Sequence, residues 1–184
     1  MDVEGNQILI CHAKNIDERK DYEKELHYLS THDQLTGIYN RSFFEAFLEH
    51  QSKRREYPLT LLVCDIDNLK VINDTFGYFV GDRVIKRCAS AIKENLRKGD
   101  FLARTGGDEF AVILPSTTID EANLMIDRIS RSIKNVNKIE KDWPCCLFLS
   151  TGAATAENAE YSIEKVLSDA DNEMYQQKAN KEAI

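Results

Sequence analysis

A chain of 184 residues suits one domain with a sizeable core plus a short attachment, and 42% hydrophobic residues is ordinary for a globular protein. The net charge of −7 argues against broad binding to a nucleic acid polymer or an anionic membrane surface, while allowing a local basic pocket for a phosphorylated substrate. No apolar run approaches the roughly 20 residues that span a bilayer and no signal peptide is visible, so this segment is expected to be soluble and cytoplasmic; a membrane anchor elsewhere in a longer parent remains compatible.

In chain order, Gly5-Asn6 followed by Gln7 to Cys11 reads as a turn and one strand, too little to fold alone. Asn15 or Asp17 can cap a helix running to about Thr31, with Tyr22, Leu26 and Leu29 on one stripe. The stripe is either a coiled-coil seam or part of a short solvated helix, and about two heptads leave those readings level. A helix is expected over Arg41–Arg55, burying Phe43, Phe44, Phe47 and Leu48. Pro58 then precedes the buried central strand Leu59–Cys64. Helical spacing returns over Asp82–Leu96, and strand-like runs flank Gly106-Gly107. A helix over Ile119–Asn135, a strand over Cys145–Ala153 and a helix over Ile163–Ala179 complete the chain. The pattern predicts an α+β fold, a palm-like βαββαβ sandwich with extra helices on one face of a largely antiparallel sheet.

The five cysteines form no C-x-x-C pair and the four histidines form no ligand cluster. Cys64 reads as a buried small hydrophobe, and Cys145-Cys146 as apolar fillers entering a strand rather than a redox pair. The pattern that points to chemistry is one of acids. The apolar strand running into Asp65-Ile66-Asp67 places carboxylates at an exposed strand end, where a hard cation could be held. Paired glycines between two strand-like runs signal a hairpin whose tip allows close backbone approach by a ligand. Asp108 and Glu109 follow at once, and strand alternation sends them to opposite faces. In a βαββαβ fold the first strand and the hairpin are neighbours, so Asp65 and Asp108 are expected to converge on a site for two-metal phosphoryl transfer.

Five ordered motifs then carry a resemblance. They are Asp33-Gln34-Leu35-Thr36-Gly37-Ile38-Tyr39-Asn40-Arg41, Asp65 through Asp74, Gly77 through Asp82, Arg104 through Phe110, and Ala170 through Lys178. Over about residues 30–180 the chain resembles the GGDEF domain, the catalytic domain of diguanylate cyclases. That likeness implies condensation of two GTP into cyclic di-GMP with release of two pyrophosphates, across a homodimer in which each domain holds one GTP. It implies two Mg²⁺ or Mn²⁺ ions on Asp65, Asp108 and the Ile66 carbonyl. Glu109 would assist proton removal from the ribose 3′-hydroxyl or support the metals. Lys70 and Lys178 would neutralise phosphates, Asn73 and Asp82 would read the guanine edge, and Gly106 and Gly107 would let the substrate approach. Arg97-Lys98-Gly99-Asp100 matches the family's R-x-x-D motif for product inhibition, with Arg97 and Asp100 on cyclic di-GMP and Arg128 or Arg131 completing the site; the alternative is a helix end capped at Gly99. The lead-in Asn15 to Lys20 is similar to the close of a PAS sensor followed by a signalling helix. The domain reading is therefore a sensor remnant at 1–16, a signalling helix at 17–31 and the cyclase domain at 32–184.

Two positions depart from the family pattern. Tyr78 stands where His is usual, which implies a packing change. Lys181-Glu182 stands where a Gly-Arg pair is usual, and a carboxylate there would repel the γ-phosphate unless Lys181 substitutes through a shifted helix end. The competing readings are a degenerate domain that binds GTP or cyclic di-GMP and relays a signal, and a cyclase using a second nucleotide such as ATP. Asp82, as the guanine reader, argues against the latter.

Overall fold

A computed structural model of the chain describes residues 16–54, 56–139 and 144–182. The expected sensor remnant falls on residues outside that set, apart from Ile16. Helix α1 (Ile16–Thr31) leads into the short strand β1 (Tyr39–Asn40) and helix α2 (Arg41–Arg54). Strand β2 (Leu59–Ile66), helices α3 (Leu69–Phe76) and α4 (Tyr78–Lys93) and strands β3 (Phe101–Arg104) and β4 (Glu109–Pro115) follow. Helix α5 (Ile119–Ile139), strand β5 (Leu149–Ala156) and helix α6 (Ile163–Glu182) end the fold.

The five strands form one sheet in the order β1-β3-β4-β2-β5. Only β1 pairs in parallel, with β3; all other neighbours are antiparallel. The α+β class and the mostly antiparallel sheet are as the sequence predicts, but the helices cover both faces. Every residue of β2 is buried. Leu62, Cys64 and Ile66 pack with α3, α4 and α5, whereas Leu59 and Leu61 pack with α2 and α6. A strand screened on both sides can be apolar at every position, and so the run Leu59–Cys64 carries no alternation.

Helix α2 places Phe44 in the core, and Phe43 and Phe47 stack against Phe101. Tyr39 lies parallel to Phe101, with centroids 4.6 Å apart. His32 sits between Tyr28 and Tyr39, tying the end of α1 to this aromatic stack. Upstream of that anchor α1 leaves the domain: Tyr22 and Leu26 are 68% and 69% exposed, so this part of the stripe is open among the described residues.

Cys64 and Cys88 are buried, and desolvation pushes both thiols up to about 12, which agrees with inert core residues. The strand expected at Cys145 begins later, at Leu149. Cys145 is half-buried beside the core and Cys146 is exposed, so only one of the pair acts as filler.

Candidate active site

The acids stand at the end of β2, but not at an exposed end. Asp65 is only 4% exposed and Asp67 is also buried, because α6 lies across this strand end. Lys178 donates to Asp65 Oδ1 at 2.5 Å. Lys181 donates to Asp67 Oδ2 at 2.8 Å, while the Ser150 hydroxyl donates to Asp67 Oδ1 at 2.6 Å. Burial pushes the Asp65 carboxyl up; the hydrogen bond from Lys178 opposes this, and the charges of Asp108 and Asp67 reinforce it. Burial also works against the Lys178 charge, yet its contact with Asp65 outweighs that and its pKa is raised.

The hairpin joins the site through backbone. Asp108 O accepts from Ile66 N at 3.0 Å, and Thr105 N donates to Glu109 O at 3.0 Å. Strand β4 starts at Glu109, so Asp108 lies in the turn itself. Asp65 and Glu109 are direct cross-strand partners, and such partners share a face of the sheet. Glu109 therefore lies on the α2 and α6 side, with its Oε2 over Gly106, where an added Cβ would be 2.7 Å away. Asp108 is close enough to influence Asp65 electrostatically from the turn.

Arg104, a member of the fourth motif with no role assigned from sequence, holds this turn. Its Nε donates to Gly106 O at 3.1 Å and its Nη2 to Gly107 O at 2.7 Å. Its Nη1 reaches both Asp33 oxygens at 3.2 Å. Asp33 in turn accepts from Thr36 Oγ1 at 2.6 Å and Thr36 N at 2.9 Å. The first and fourth motifs are thus one clamp. Their opposite charges were the available signal, but spacing gave no partner for either.

The segment after β2 builds a second part. Helix α3, not anticipated from sequence, starts after Asn68 in a left-handed conformation, with Leu69 and Ile72 buried. Gly77, at φ 82°, turns directly into α4, which begins four residues before the expected Asp82. The turn packs Asn73 against Gly81, where an added Cβ would meet Asn73 Oδ1 at 1.8 Å. That oxygen is buried without a hydrogen-bond partner. Asp82 and Lys70 are exposed on α4 and α3. A cavity of about 300 Å³ lined by Asp67, Asn68, Phe148, Lys178 and Lys181 opens between the start of α3, the start of β5 and the end of α6.

Among the described residues no group of three or more His, Cys, Asp or Glu side chains is arranged to hold a metal. The oxygens present still suit a hard cation. Asp65 feels the charges of both Asp108 and Asp67 beside its ion pair with Lys178, and Mg²⁺ characteristically uses few protein oxygens, leaving positions for water and substrate phosphates.

The model of the family described as diguanylate cyclase, GGDEF domain, matches residues 30–183. The chain belongs to the GGDEF domain family. It is 37% identical over 149 residues to diguanylate cyclase DgcP of Pseudomonas aeruginosa, covering 79% of this chain and 22% of that protein. It is 31% identical over 183 residues to diguanylate cyclase DgcM of Escherichia coli K12, covering 97% of this chain and 43% of that protein. The chain therefore spans less than half the length of each of these curated relatives. The solved coiled coil and GGDEF domain of Caulobacter crescentus DgcB, in complex with c-di-GMP, superposes with a TM-score of 0.82 at 26% identity, covering 90% of this chain and 89% of that one.

Within this GGDEF domain the R-x-x-D residues are folded onto one another. Arg97 N and Nε donate to the two Asp100 oxygens at 2.9 and 3.1 Å, and Arg97 Nη2 donates to Pro115 O and Thr117 Oγ1 at 2.7 and 2.6 Å. Gly99, at φ 115°, allows the tight turn between them. Arg128 is exposed on α5 and is joined to neither residue in the structure. Glu182 ends α6, but its side chain lies outside the described residues.

Proposed function

We propose that this domain is an active diguanylate cyclase, condensing two GTP into cyclic di-GMP and two pyrophosphates across a homodimer. The observation that carries the reading is the meeting of Asp65, the Gly106–Asp108 turn and Lys178 at one strand end, with Asn73 packed against Gly81, next to Asp82, where α3 turns into α4. A carboxylate such as Asp82 can accept from guanine N1–H and N2–H₂ together, a donor pair that adenine lacks. Asn73 would bring a side-chain amide to the same edge. Gly106 and Gly107 keep the turn low enough for the α-phosphate, and Arg104 holds both of their carbonyls. Lys178 and Lys70 would meet phosphate charge, and Glu109 would act on the ribose 3′-hydroxyl or support the metal site.

Asp65, Asp108 and the Ile66 carbonyl would hold two Mg²⁺ or Mn²⁺ ions, which when bound acidify the attacking hydroxyl and steady the phosphate and leaving group. Each domain offers one such site, and the reaction joins two nucleotides, so the sites of two copies must face one another. The exposed stripe on α1 suits a parallel pairing of signalling helices below an upstream sensor, and the DgcB structure includes a coiled coil. Arg97 and Asp100 would form the product-inhibition site once their mutual contacts open, with Arg128 as a further contact. The cytoplasmic setting follows from the nucleotide substrate; among the described residues no helix is long and apolar enough to cross a membrane.

The test is incubation of the protein with GTP and Mg²⁺ at high protein concentration, with chromatographic detection of cyclic di-GMP. Product from the parent and none from Asp108→Ala is expected. GTP binding without product would instead support the relay reading, and most of the activity surviving in Asp108→Ala would refute the site assignment.

A further inference from the structure

Three side chains of α6 form a ladder against β5. Glu173 Oε2 accepts from Ala153 N at 2.7 Å, Gln177 Oε1 accepts from Thr151 N at 2.6 Å, and Lys181 Nζ donates to Leu149 O at 2.6 Å. The donors and acceptors on β5 are two residues apart because β5 is an edge strand, pairing only with β2, and alternate residues direct their backbone groups outward. The rungs on α6 are four residues apart and share one helix face. Four helical residues rise about 6.0 Å, and two strand residues advance about 6.7 Å, so helix and strand stay in step over three rungs. Gly152 lets them approach: an added Cβ would sit 2.2 Å from Ala170 O and 2.3 Å from Met174 N.

Lys181 is the last rung, and its ammonium is fully used. It has three donors, and Asp67 Oδ2, Leu149 O and Ser150 Oγ take them at 2.8, 2.6 and 3.1 Å. The Ser150 hydroxyl in turn donates to Asp67 Oδ1. The buried carboxylate, the hydroxyl and the strand carbonyl are therefore all satisfied by one cation from the end of α6. Lys178 lies one turn earlier on the same helix and reaches Asp65.

We propose that Lys181 is a positioning residue: it locks the last turn of α6 onto Asp67 and β5, and thereby sets Lys178 at the height of Asp65 and of an incoming nucleotide's phosphates. This rests on the reading of Lys178 as a phosphate-facing group. Lys181 does not need to touch the nucleotide, and no shift of the helix end is required for it to act.

The experiment uses the full chain with Mg²⁺ and guanosine 5′-[α,β-methylene]triphosphate, which cannot release pyrophosphate at the α-phosphorus, and measures binding by calorimetry. Lys181→Met should weaken binding about tenfold, a loss of roughly 1.4 kcal/mol. The double variant Asp67→Asn with Lys181→Met, in which a neutral amide still accepts from Ser150, should recover to within about threefold of the parent. Hydrogen exchange at amides 178–182 should quicken in Lys181→Met and return toward the parent rate in the double variant. Binding as weak in the double variant as in Lys181→Met would make Lys181 a direct phosphate ligand and overturn the proposal, as would unchanged binding in the single variant. If the parent itself binds no analogue, the nucleotide reading fails; unchanged exchange in Lys181→Met would separately overturn the lock.

Discussion

Replacing Arg104 with Ala removes one guanidinium that donates four hydrogen bonds, two to the glycine carbonyls and two to Asp33. The Arg104 and Asp33 side chains are only 14% and 23% exposed. Breaking a fully buried pair costs about 3–5 kcal/mol, and an ordinary charge-assisted hydrogen bond about 1.5–3 kcal/mol. Water still reaches Asp33, so a loss of about 3 kcal/mol is expected, near the lower end of the buried-pair range. For a chain of this size that lowers Tm by roughly 6–12 °C. Arg104→Lys keeps the charge without the fork and should lose about half as much. The sign of the pH dependence follows from Asp33. Burial works against its charge, but Thr36 and Arg104 outweigh it and hold the carboxyl below its ordinary 3.8. The stability it contributes is complete above that value and lost as pH falls through the depressed folded value. Thermal unfolding followed by circular dichroism should therefore show a gap between parent and Arg104→Ala at neutral pH that narrows from about pH 5 to pH 2. A Tm within about 2 °C of the parent at neutral pH, or a gap that does not change with acid, would refute the clamp.

Gly81→Ala should separate affinity from stability. The new methyl must push Asn73 aside, which frees a buried oxygen that has no partner, while Ala favours the helix by about 0.5–1 kcal/mol; Tm should hold or rise as the KM for GTP rises, and an unchanged KM would remove Asn73 from base recognition. Arg97→Ala should spare synthesis and abolish inhibition by added cyclic di-GMP, with a small fall in Tm from the lost contacts to Pro115 and Thr117. Inhibition equal to that of the parent would dismiss the second site.

How legible the fold was depended on whether local pattern or distant contact decided it. The buried run Leu59–Cys64 and the glycine hairpin announced β2 and the β3–β4 pair, because both rest on residue type and short spacing. Helix α3 was hidden. Its eight residues include only two that are buried, Leu69 and Ile72, and Gly77 separates it from α4, so the helical period was visible only after the turn. The expectation of helices on one face missed what the lack of alternation in β2 reflects, a strand screened by α3, α4 and α5 on one side and by α2 and α6 on the other. At the candidate site, Asp65, Asp108, Lys178 and Asn73 are singled out by motif. Their partners are not, since Lys181 meets Asp67 across 114 positions and Arg104 meets Asp33 across 71.

Those distant contacts change what the central turn is. Gly106 and Gly107 supply a low backbone for a ligand to approach, but two glycines alone would leave the turn loose. Arg104 restrains it by holding both carbonyls, and the other end of the same guanidinium grips Asp33, two residues after α1 ends. His32, in the intervening link, is stacked between Tyr28 of α1 and Tyr39 of β1. A rotation of α1 therefore bears on the turn that carries Asp108 through one ion pair and one aromatic stack, while Lys178 is set from the opposite side by the α6 ladder. The strand end that holds Asp65 is thus fixed between two anchors, the Arg104–Asp33 clamp beside α1 and the α6 ladder along β5.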